Sequence, residues 1–270
     1  SISKIKPNSV GFVPTMGALH QGHMYLLESS VKNNDISVCS IFVNPAQFND
    51  PDDLKGYPVT IEQDLLKLKE AGCDIVYLPD VNDVYPDGIT NIEPYELGGF
   101  DKIVEGAFRP GHFQGVAKVV DRLLQFVGPC KLYLGQKDIQ QFQVIKYMIA
   151  SKRHNVELVM CDTIREDNGL ALSSRNKHLE NKERLELGII YETLSWAAEN
   201  IFEFGVDEIE ESAHERLMEC AHINNVEYFK ILKFNDFVPV IKVSNSEALV
   251  ICVALNTNKA RLIDNILLFY

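Results

Sequence analysis

The sequence is poor in positive charge and lacks long apolar runs. Its 270 residues contain 26 Lys and Arg against 38 Asp and Glu, a formal net charge of −12. Nucleic-acid binding needs clustered basic side chains that displace counterions, so this acid excess argues against a nucleic-acid partner. No apolar run approaches the ~18 residues of a membrane-spanning helix, and residues 1–8 lack the apolar core of a signal peptide. We therefore expect neither a nucleic-acid nor a membrane function.

The cysteines follow no metal-binding or disulfide pattern. None of the six forms a C-x-x-C pair, and most lie in or beside apolar runs. Small buried thiols of this kind are typical of a reducing compartment, so we expect free cysteines in a cytoplasmic protein. The residues concerned are Cys39, Cys73, Cys130, Cys161, Cys220 and Cys252.

The composition that remains is that of an ordinary globular protein. Hydrophobic residues make up 46% and charged residues 24% of the chain, which excludes a disordered, a collagen-like or a coiled-coil protein. Since domains average about 150 residues, the length suggests roughly two of them.

Short β-branched runs alternate with helical patterns over residues 10–160. The runs are apolar on both faces, as buried parallel strands are. The alternation predicts an α/β fold with a doubly wound, Rossmann-like parallel sheet, in which ligands bind beyond the carboxyl ends of the strands. The predicted strands are Val10–Val13, Ile36–Val43, Ile75–Leu78, Leu132–Leu134 and Val156–Met160. One predicted helix follows Thr60, which begins a capping-box pattern. A second runs from Phe113 to Val127, and a third starts near Asp138.

From about residue 164 the pattern changes. Two long helical patterns, Leu179–Phe204 and Val206–His222, precede three strand-like runs. Helices followed by consecutive strands predict a separate, smaller C-terminal α+β domain. We therefore expect two domains, residues 1–163 and residues 164–270. The strand-like runs are Val226–Leu232, Ala248–Leu255 and Leu262–Leu268.

The stretch from Asn44 to Pro58 is the richest predicted loop. A loop of that length in a compact domain is usually functional. Its turn-forming and acidic residues are Pro45, Pro51, Pro58, Asp50, Asp52 and Asp53.

The segment after the first predicted strand carries the residues best suited to bind phosphate. Gly17 and Gly22 let the backbone approach a ligand closely, and a helix start offers unpaired N–H groups and a positive dipole end. His20 and His23 are three residues apart, so both rings face one side of a first helical turn and each could donate to phosphoryl oxygens. A capped helix start with two surface imidazoles is the alternative. A zinc site is disfavoured, because the H-E-x-x-H spacing and a third ligand are absent.

The same segment, Thr15–His23, resembles the H-x-G-H signature of the nucleotidylyl-transferase and class I aminoacyl-tRNA synthetase superfamily. In detail the chain resembles the pantoate–β-alanine ligase family, because five further blocks follow in that family's order. Together the blocks span residues 11 to 176. They are Ile41–Phe48, Asp53–Pro58, Arg109–Val116, Gly135–Gln141 and Arg165–Asn176.

The resemblance implies an ATP-dependent ligase of pantothenate biosynthesis. In that family the pantoate carboxylate attacks the α-phosphate of ATP, giving pantoyl adenylate and pyrophosphate, and the β-alanine amine then displaces AMP. A carboxylate with a pKa of about 4 is already ionised at neutral pH, so the first step needs no general base. It needs aligned anions and stabilised phosphoryl charge, which glycine, imidazole, Lys, Arg, hydroxyl groups and Mg²⁺ can supply.

The resemblance also assigns site residues, although it assigns no metal ligand. The residues expected to be catalytic are His23, as proton donor or phosphate partner, His20, Lys137 and Arg175. Those expected to bind pantoate are Gln47, Gln141 and Asn44, with Arg109, His112 and Tyr57 as second-rank site candidates. Those expected to bind ATP are Met16, Gly17, Ala18, Leu19, His20, Gln21, Gly22, His23, Gly135, Gln136, Lys137, Asp138, Ile164, Leu172, Ser173, Ser174 and Arg175.

An assembly and a lid are implied as well. Family members form homodimers through the large domain, and the small domain closes over the nucleotide to keep water from the labile adenylate. They usually begin with a further strand and helix. Because only ten residues precede Gly11, we expect a trimmed or naturally short version of the family.

Three other functions compete with the ligase. Another H-x-G-H nucleotidylyltransferase would transfer a nucleotidyl group to a phosphorylated acceptor and retain it in the product, whereas the ligase releases AMP. A class I synthetase-like tRNA binder would need a basic appended domain, which a net charge of −12 does not offer. A catalytically silent ATP-binding scaffold is disfavoured by the presence of His20, His23, Lys137 and Arg175.

Overall fold

A computed structural model describes residues 9–48, 51–89, 93–244 and 247–269. The chain divides into two compact units, the first ending at Asp162 and the second beginning at Thr163. Over the described ranges, no helix combines the length and the apolar character needed to cross a membrane. The six cysteines carry free thiols, most of them buried.

The first unit alternates strands and helices, and each strand predicted for it is found within two residues of its predicted ends. The strands are β1 (Val10–Thr15), β2 (Ile36–Ile41), β3 (Ile75–Tyr77), β4 (Cys130–Gly135) and β5 (Val156–Cys161). The helices are α1 (Gln21–Asn33), α2 (Pro51–Gly56), α3 (Ile61–Glu70), α4 (Val81–Val84), α5 (Glu105–Phe108), α6 (His112–Val127) and α7 (Ile139–Lys152).

The five strands of this sheet are parallel and lie in the order β3-β2-β1-β4-β5. The chain leaves the central strand β1 toward β2 on one side and reaches β4 later on the other. Such a reversal of strand order opens a crevice at the carboxyl ends of the strands, where α/β proteins bind ligands. The predicted doubly wound parallel sheet is therefore confirmed, and the segments after β1, β2 and β4 lie at its ligand-binding edge.

Both faces of the sheet are covered, because successive side chains of a strand point to opposite faces. Gly11 and Val13 of β1 face α1. A Cβ at Gly11 would lie 2.1 Å from Ser30 Oγ, and Val13 shares a core cluster with Leu27. Phe12 points to the opposite face and is fully buried. Burial on both faces explains why the central strands β1, β2 and β4 are apolar runs in the sequence.

Two local predictions for the first unit are wrong. The stretch Asn44–Pro58 is not a single loop, since it contains a 3-10 turn at Pro45–Gln47 and the helix α2. Prolines begin both elements, at the position where a helix tolerates them best. Thr60 does not cap α3 through its side chain, because its hydroxyl donates to the Asp64 carboxylate at 3.1 Å instead. Asp50 lies outside the described residues.

The second unit packs helices against an antiparallel sheet in the order β6-β7-β8, which confirms the predicted α+β class. The central strand is buried along nearly its whole length, and α9 and α10 contact each other and the sheet. The helices are α8 (Asn181–Glu186), α9 (Ile189–Asn200) and α10 (Val206–Met218). The strands are β6 (Ile223–Lys233), β7 (Leu249–Thr257) and β8 (Arg261–Leu268).

The single helix predicted over Leu179–Phe204 is instead two helices, α8 and α9. A Cβ at Gly188, which lies between them, would be 2.5 Å from the Asn168 carbonyl oxygen. The Asn168 side chain also donates to the carbonyls of Arg184 and Leu185 at 2.7 and 2.9 Å, and so satisfies the end of α8. A tertiary contact therefore ends a helix that the apolar pattern alone continues.

Candidate active site

The first site segment is the loop that joins β1 to α1. His20 is the N-cap of α1, and its Nδ1 accepts a hydrogen bond from the Gly22 amide at 3.2 Å. His23 Nδ1 accepts from the His20 amide at 3.3 Å, and the two ring centroids are 4.1 Å apart. A ring nitrogen that accepts carries no proton, so each neutral ring holds its proton on Nε2. The capping geometry thus prepares two neighbouring Nε2–H donors suited to phosphoryl oxygens.

The amides of this loop are bonded to the protein itself. The Asp64 carboxylate accepts from the Ala18 and Leu19 amides, each at 2.8 Å. The amides of residues 17, 20 and 22 donate to the Thr15 hydroxyl or to an imidazole. The loop therefore does not present the row of unpaired N–H groups that the sequence suggests. Phosphate recognition here would depend on side chains, above all on the two histidines.

The second segment follows β2 and contains two of the predicted pantoate ligands. Asn44 is 1% exposed, and its Oδ1 accepts from the Tyr85 hydroxyl and from a backbone amide two residues on. Its Nδ2 donates to the Gly115 carbonyl and to Gln47 Oε1, and Gln47 Nε2 lies 3.1 Å from Met16 Sδ. Asn44 therefore holds Gln47 beside the loop after β1. A direct contact between Asn44 and a substrate would require one of these bonds to open.

Helix α6 packs closely on this segment. A Cβ at Gly115 would lie 2.1 Å from the Ala46 carbonyl oxygen and 2.6 Å from Gln47 Cα. Only glycine allows the two backbones to approach so closely, so Gly115 sets the position of Gln47. Beyond Gln47, Phe48 packs edge-on against Tyr57, with ring centroids 5.8 Å apart.

His112, the first residue of α6, binds the same segment. It is 7% exposed, with Nδ1 2.8 Å from the Gln47 carbonyl oxygen and Nε2 3.3 Å from Arg109 Nη1. Burial, reinforced by the positive charge of Arg109, lowers the pKa of His112 to about 4. The neutral ring therefore donates from Nδ1 to Gln47 and accepts at Nε2 from Arg109. Arg109 also lies 3.6 Å from the Glu105 carboxylate. Two of the second-rank candidates therefore connect to the predicted substrate ligand Gln47, His112 directly and Arg109 through His112.

We expect the buried His112 to make the protein less stable in mild acid. Its pKa of about 4 in the folded state lies below the ~6.5 of an exposed histidine, so between these values the unfolded chain binds more protons. This contribution to stability is complete above about pH 6.5 and declines by up to about 3 kcal/mol as the pH falls to about 4. Urea unfolding over this range measures the effect.

A matched pair of variants isolates the His112 contribution from that of other titrating groups. His112→Asn keeps an N–H donor toward the Gln47 carbonyl but does not titrate, so its stability should depend less on pH. His214→Asn, at an exposed position of α10, should retain the wild-type dependence. An equal acid response of His112→Asn and the wild type would contradict the assignment.

The third segment follows β4, the strand next to β1. Gly135 ends this strand, and Gln136–Asp138 form a 3-10 turn before α7. Lys137 is 20% exposed, with Nζ 3.4 Å from Asp138 Oδ1. Gln141 lies half-buried in the first turn of α7. A cation, a carboxylate and an amide are thus placed at the same sheet edge as the two histidines.

The remaining candidates lie in the second unit. Ile164 and Leu172 face each other across a short hairpin, in which the Leu172 amide donates to the Ile164 carbonyl at 2.9 Å. Ser173 caps the 3-10 turn Ser174–His178 by accepting from the Arg175 amide at 3.3 Å. The predicted ATP ligands of this unit are therefore neighbours of one another.

A buried polar network holds this turn. Asn176 is 4% exposed and donates to the Ala171 carbonyl and to the Glu166 carboxylate, both at 3.1 Å. Arg184 donates to the same carboxylate at 2.7 Å. The two hydroxyls and the guanidinium expected to bind ATP therefore belong to a turn that these side chains brace.

Several residues around the site are absent from the sequence-based predictions. The Asp64 side chain is fully buried, and Lys67 donates to the Leu19 carbonyl at 2.6 Å. Gln140 accepts from the Glu105 amide at 3.0 Å and donates to two backbone carbonyls. The spacing of Asp64 and Lys67 is a signal in the sequence, but without the fold it indicates only a charged helix surface.

No preformed metal site accompanies these residues. The described part of the chain contains no group of three or more His, Cys, Asp or Glu side chains that could hold a metal ion. Asp64 is bonded to loop amides, and Asp138 pairs with Lys137. Mg²⁺ commonly takes part of its ligands from a bound triphosphate.

Comparisons with known proteins extend over both units. A family model described as pantoate-beta-alanine ligase matches residues 2–267. The pantothenate synthetase of Azobacteroides pseudotrichonymphae genomovar. CFP2 is 41% identical over 259 residues, which cover 96% of this chain and 91% of the relative. The crystal structure of pantothenate synthetase from Thermus thermophilus aligns with a TM-score of 0.87 at 38% identity, over 96% of this chain and 93% of that one. The pantoate-beta-alanine ligase from Francisella tularensis, complexed with beta-gamma ATP and beta-alanine, aligns with a TM-score of 0.77 at 37% identity, over 96% and 89%.

Proposed function

Because the chain belongs to the pantoate-beta-alanine ligase family, we propose that it joins pantoate to β-alanine using ATP and releases AMP and pyrophosphate. The enzyme is then an amide-forming ligase whose product is pantothenate. The match over residues 2–267 carries the proposal, because it includes every candidate site residue. The same match disfavours the alternative, another H-x-G-H nucleotidylyltransferase, since the relatives are named as ligases or synthetases.

In the first step an oxygen of the pantoate carboxylate attacks the α-phosphorus of ATP. A new P–O bond forms, the bond from the α-phosphorus to its bridging oxygen breaks, and pyrophosphate leaves with the electron pair. The ionised carboxylate needs no base, so the side chains act on charge. His20 and His23 donate Nε2–H to phosphoryl oxygens and Lys137 places a cation on them, while the neutral amides of Gln47 and Gln141 hold pantoate.

In the second step the neutral amine of β-alanine attacks the acyl carbon of pantoyl adenylate. The C–N bond forms, the C–O bond to the phosphate breaks, AMP leaves as an anion and the amine nitrogen releases one proton to water. The groups that stabilised the α-phosphate in the first step act again on the departing phosphate, so one set of donors serves both steps. Ser173, Ser174 and Arg175 are proposed to bind ATP phosphates through hydroxyl and guanidinium donors.

Mg²⁺ is proposed as the cation that accompanies ATP. Bound to the triphosphate, it would neutralise part of the negative charge, and Lys137 and Arg175 are the side chains through which the protein adds to that neutralisation. The homodimer stays a prediction from the family resemblance. The cytoplasmic location stays a prediction from the cysteine usage.

Exchange of labelled pyrophosphate into ATP tests the function. Exchange should require pantoate and proceed without β-alanine, because the adenylate forms before the amine enters. Addition of β-alanine should then give pantothenate and AMP. Exchange that requires a phosphorylated acceptor instead, with the nucleotide retained in the product, would support the nucleotidylyltransferase alternative.

A further inference from the structure

Helix α3 carries side chains that converge on the loop between β1 and α1. The fully buried Asp64 carboxylate lies 2.8 Å from the Ala18 and Leu19 amide nitrogens. Lys67, one turn later, donates Nζ to the Leu19 carbonyl at 2.6 Å. The Thr60 hydroxyl lies 3.1 Å from Asp64 Oδ2. Side chains of α3 therefore bind two backbone amides and one backbone carbonyl of the loop, those of Ala18 and Leu19.

The backbone that Asp64 binds has an unusual conformation. Gly17 and Ala18 have φ angles of +83° and +50°, and a non-glycine residue in this region is strained unless its surroundings enforce it. In this turn the Ala18 and Leu19 amides both point at the Asp64 carboxylate. A conformation that turned these amides away would leave the buried carboxylate with the Thr60 hydroxyl but without its two amide donors, which is unfavourable. Asp64 therefore enforces the left-handed turn.

The turn determines where α1 begins and how the two imidazoles are held. Asp64 binds the Leu19 amide and Lys67 binds the Leu19 carbonyl. Leu19 directly precedes the N-cap His20. The His20 amide in turn fixes the ring of His23 through Nδ1. We propose that Asp64 and Lys67 are positioning residues for the His20–His23 pair in the adenylation step. This inference rests on the proposed function.

The bonding of Asp64 separates this role from others that a buried carboxylate could have. Two amides and one hydroxyl already donate to its two oxygens. A carboxylate so engaged is poorly suited to accept a proton from a substrate or to coordinate a cation. Asp64 therefore affects the reaction by holding the loop in place. Lys67 binds Leu19 as well, so its replacement should change the reaction in the same way.

The kinetic test compares charged positions of the same helix. Asp64→Asn and Lys67→Met should lower kcat for pantoate-dependent ATP:pyrophosphate exchange by about 10-fold to 100-fold, the usual result of misplacing catalytic groups. The KM for β-alanine in the complete reaction should stay unchanged. Glu62→Gln and Lys69→Met, at exposed positions of α3, are the matched controls and should retain the wild-type rate.

A spectroscopic test reads the histidines without turnover. The ¹⁵N shifts of the imidazoles should show protonated Nε2 and unprotonated Nδ1 for both rings in the wild type, and mixed tautomers in Asp64→Asn and Lys67→Met. If Asp64→Asn does not fold, Lys67→Met and Thr60→Val, which both keep the carboxylate, carry the test.

The two tests together separate this inference from the proposed function. Unchanged imidazole shifts in folded variants would overturn the positioning role whatever their activity, and changed shifts with full exchange activity would overturn its relevance to the reaction. If the wild-type protein showed no pantoate-dependent exchange, the proposed function would be refuted. Altered histidine tautomers in the variants would then still show that α3 positions the loop.

Discussion

Lys137→Met is expected to lower kcat for pantoyl adenylate formation by about 10²–10³, the usual size for losing one group that stabilises transition-state charge. Lys137 lies on the turn that follows β4. β4 pairs with the central strand β1, and the two histidines lie at the start of α1, after the loop that follows β1. Its side chain is 20% exposed, so its charge acts in partly desolvated surroundings. Methionine preserves most of the side-chain length and removes the cation. Single-turnover release of pyrophosphate at saturating ATP and pantoate measures the effect.

Lys131→Met is the matched control for this prediction. Lys131 lies in β4, the strand that precedes the Lys137 turn, and its Nζ is 3.9 Å from a largely exposed Glu157 carboxylate. Exposed pairs of this kind contribute about 0–1 kcal/mol to stability, and this one has no role in the proposed reaction. Lys131→Met should therefore release pyrophosphate at the wild-type rate. If Lys137→Met released pyrophosphate within about threefold of the wild-type rate, Lys137 would not stabilise the transition state.

The central strands of the first unit, β1, β2 and β4, could be predicted from the sequence because both of their faces are largely buried. Each is a short apolar run between turn residues, and this pattern does not depend on which elements cover it. The helix end at Gly188 could not be predicted in this way. It arises because the Asn168 backbone and side chain, about 20 residues earlier, occupy the space and satisfy the carbonyls at the end of α8.

The residues of the candidate site also differ in whether the sequence pattern or only the fold reveals them. His20, His23 and Lys137 are candidates from the sequence alone, because their chemistry and their glycine-containing surroundings are visible there, and their roles stay predictions. Asp64 could not be predicted, because its burial and its two amide partners, 45 and 46 residues away along the chain, exist only in the fold. The bonding of Asn44 shows the converse case: the residue type suggests a substrate ligand, while the structure gives its whole bonding capacity to neighbouring groups.

Gly115→Ala should lower kcat/KM for pantoate by about 10², a typical cost of displacing a binding group by roughly 1 Å. The new Cβ would lie 2.1 Å from the Ala46 carbonyl oxygen and 2.6 Å from Gln47 Cα. Both are backbone atoms, so the turn at Pro45–Gln47 must move away from α6 as a unit. The Asn44 bond to the Gly115 carbonyl would lengthen with it. Initial rates at varied pantoate and saturating ATP measure the change, which should fall mainly on the KM for pantoate.

Stability provides a second measurement on Gly115→Ala, with an opposite expectation if the contact is absent. In an unobstructed helix interior, alanine is more stable than glycine by about 1 kcal/mol. Here the clash with the turn should reverse the sign and destabilise the protein, as overpacking typically does by about 1–3 kcal/mol. Gly205→Ala, at the N-cap of α10 and not in a helix interior, controls only for the steric effect of an added methyl group, because a Cβ there meets nothing within 4 Å and its φ of −67° suits alanine. A more stable Gly115→Ala variant with wild-type kcat/KM for pantoate would show that α6 and the turn are not in contact.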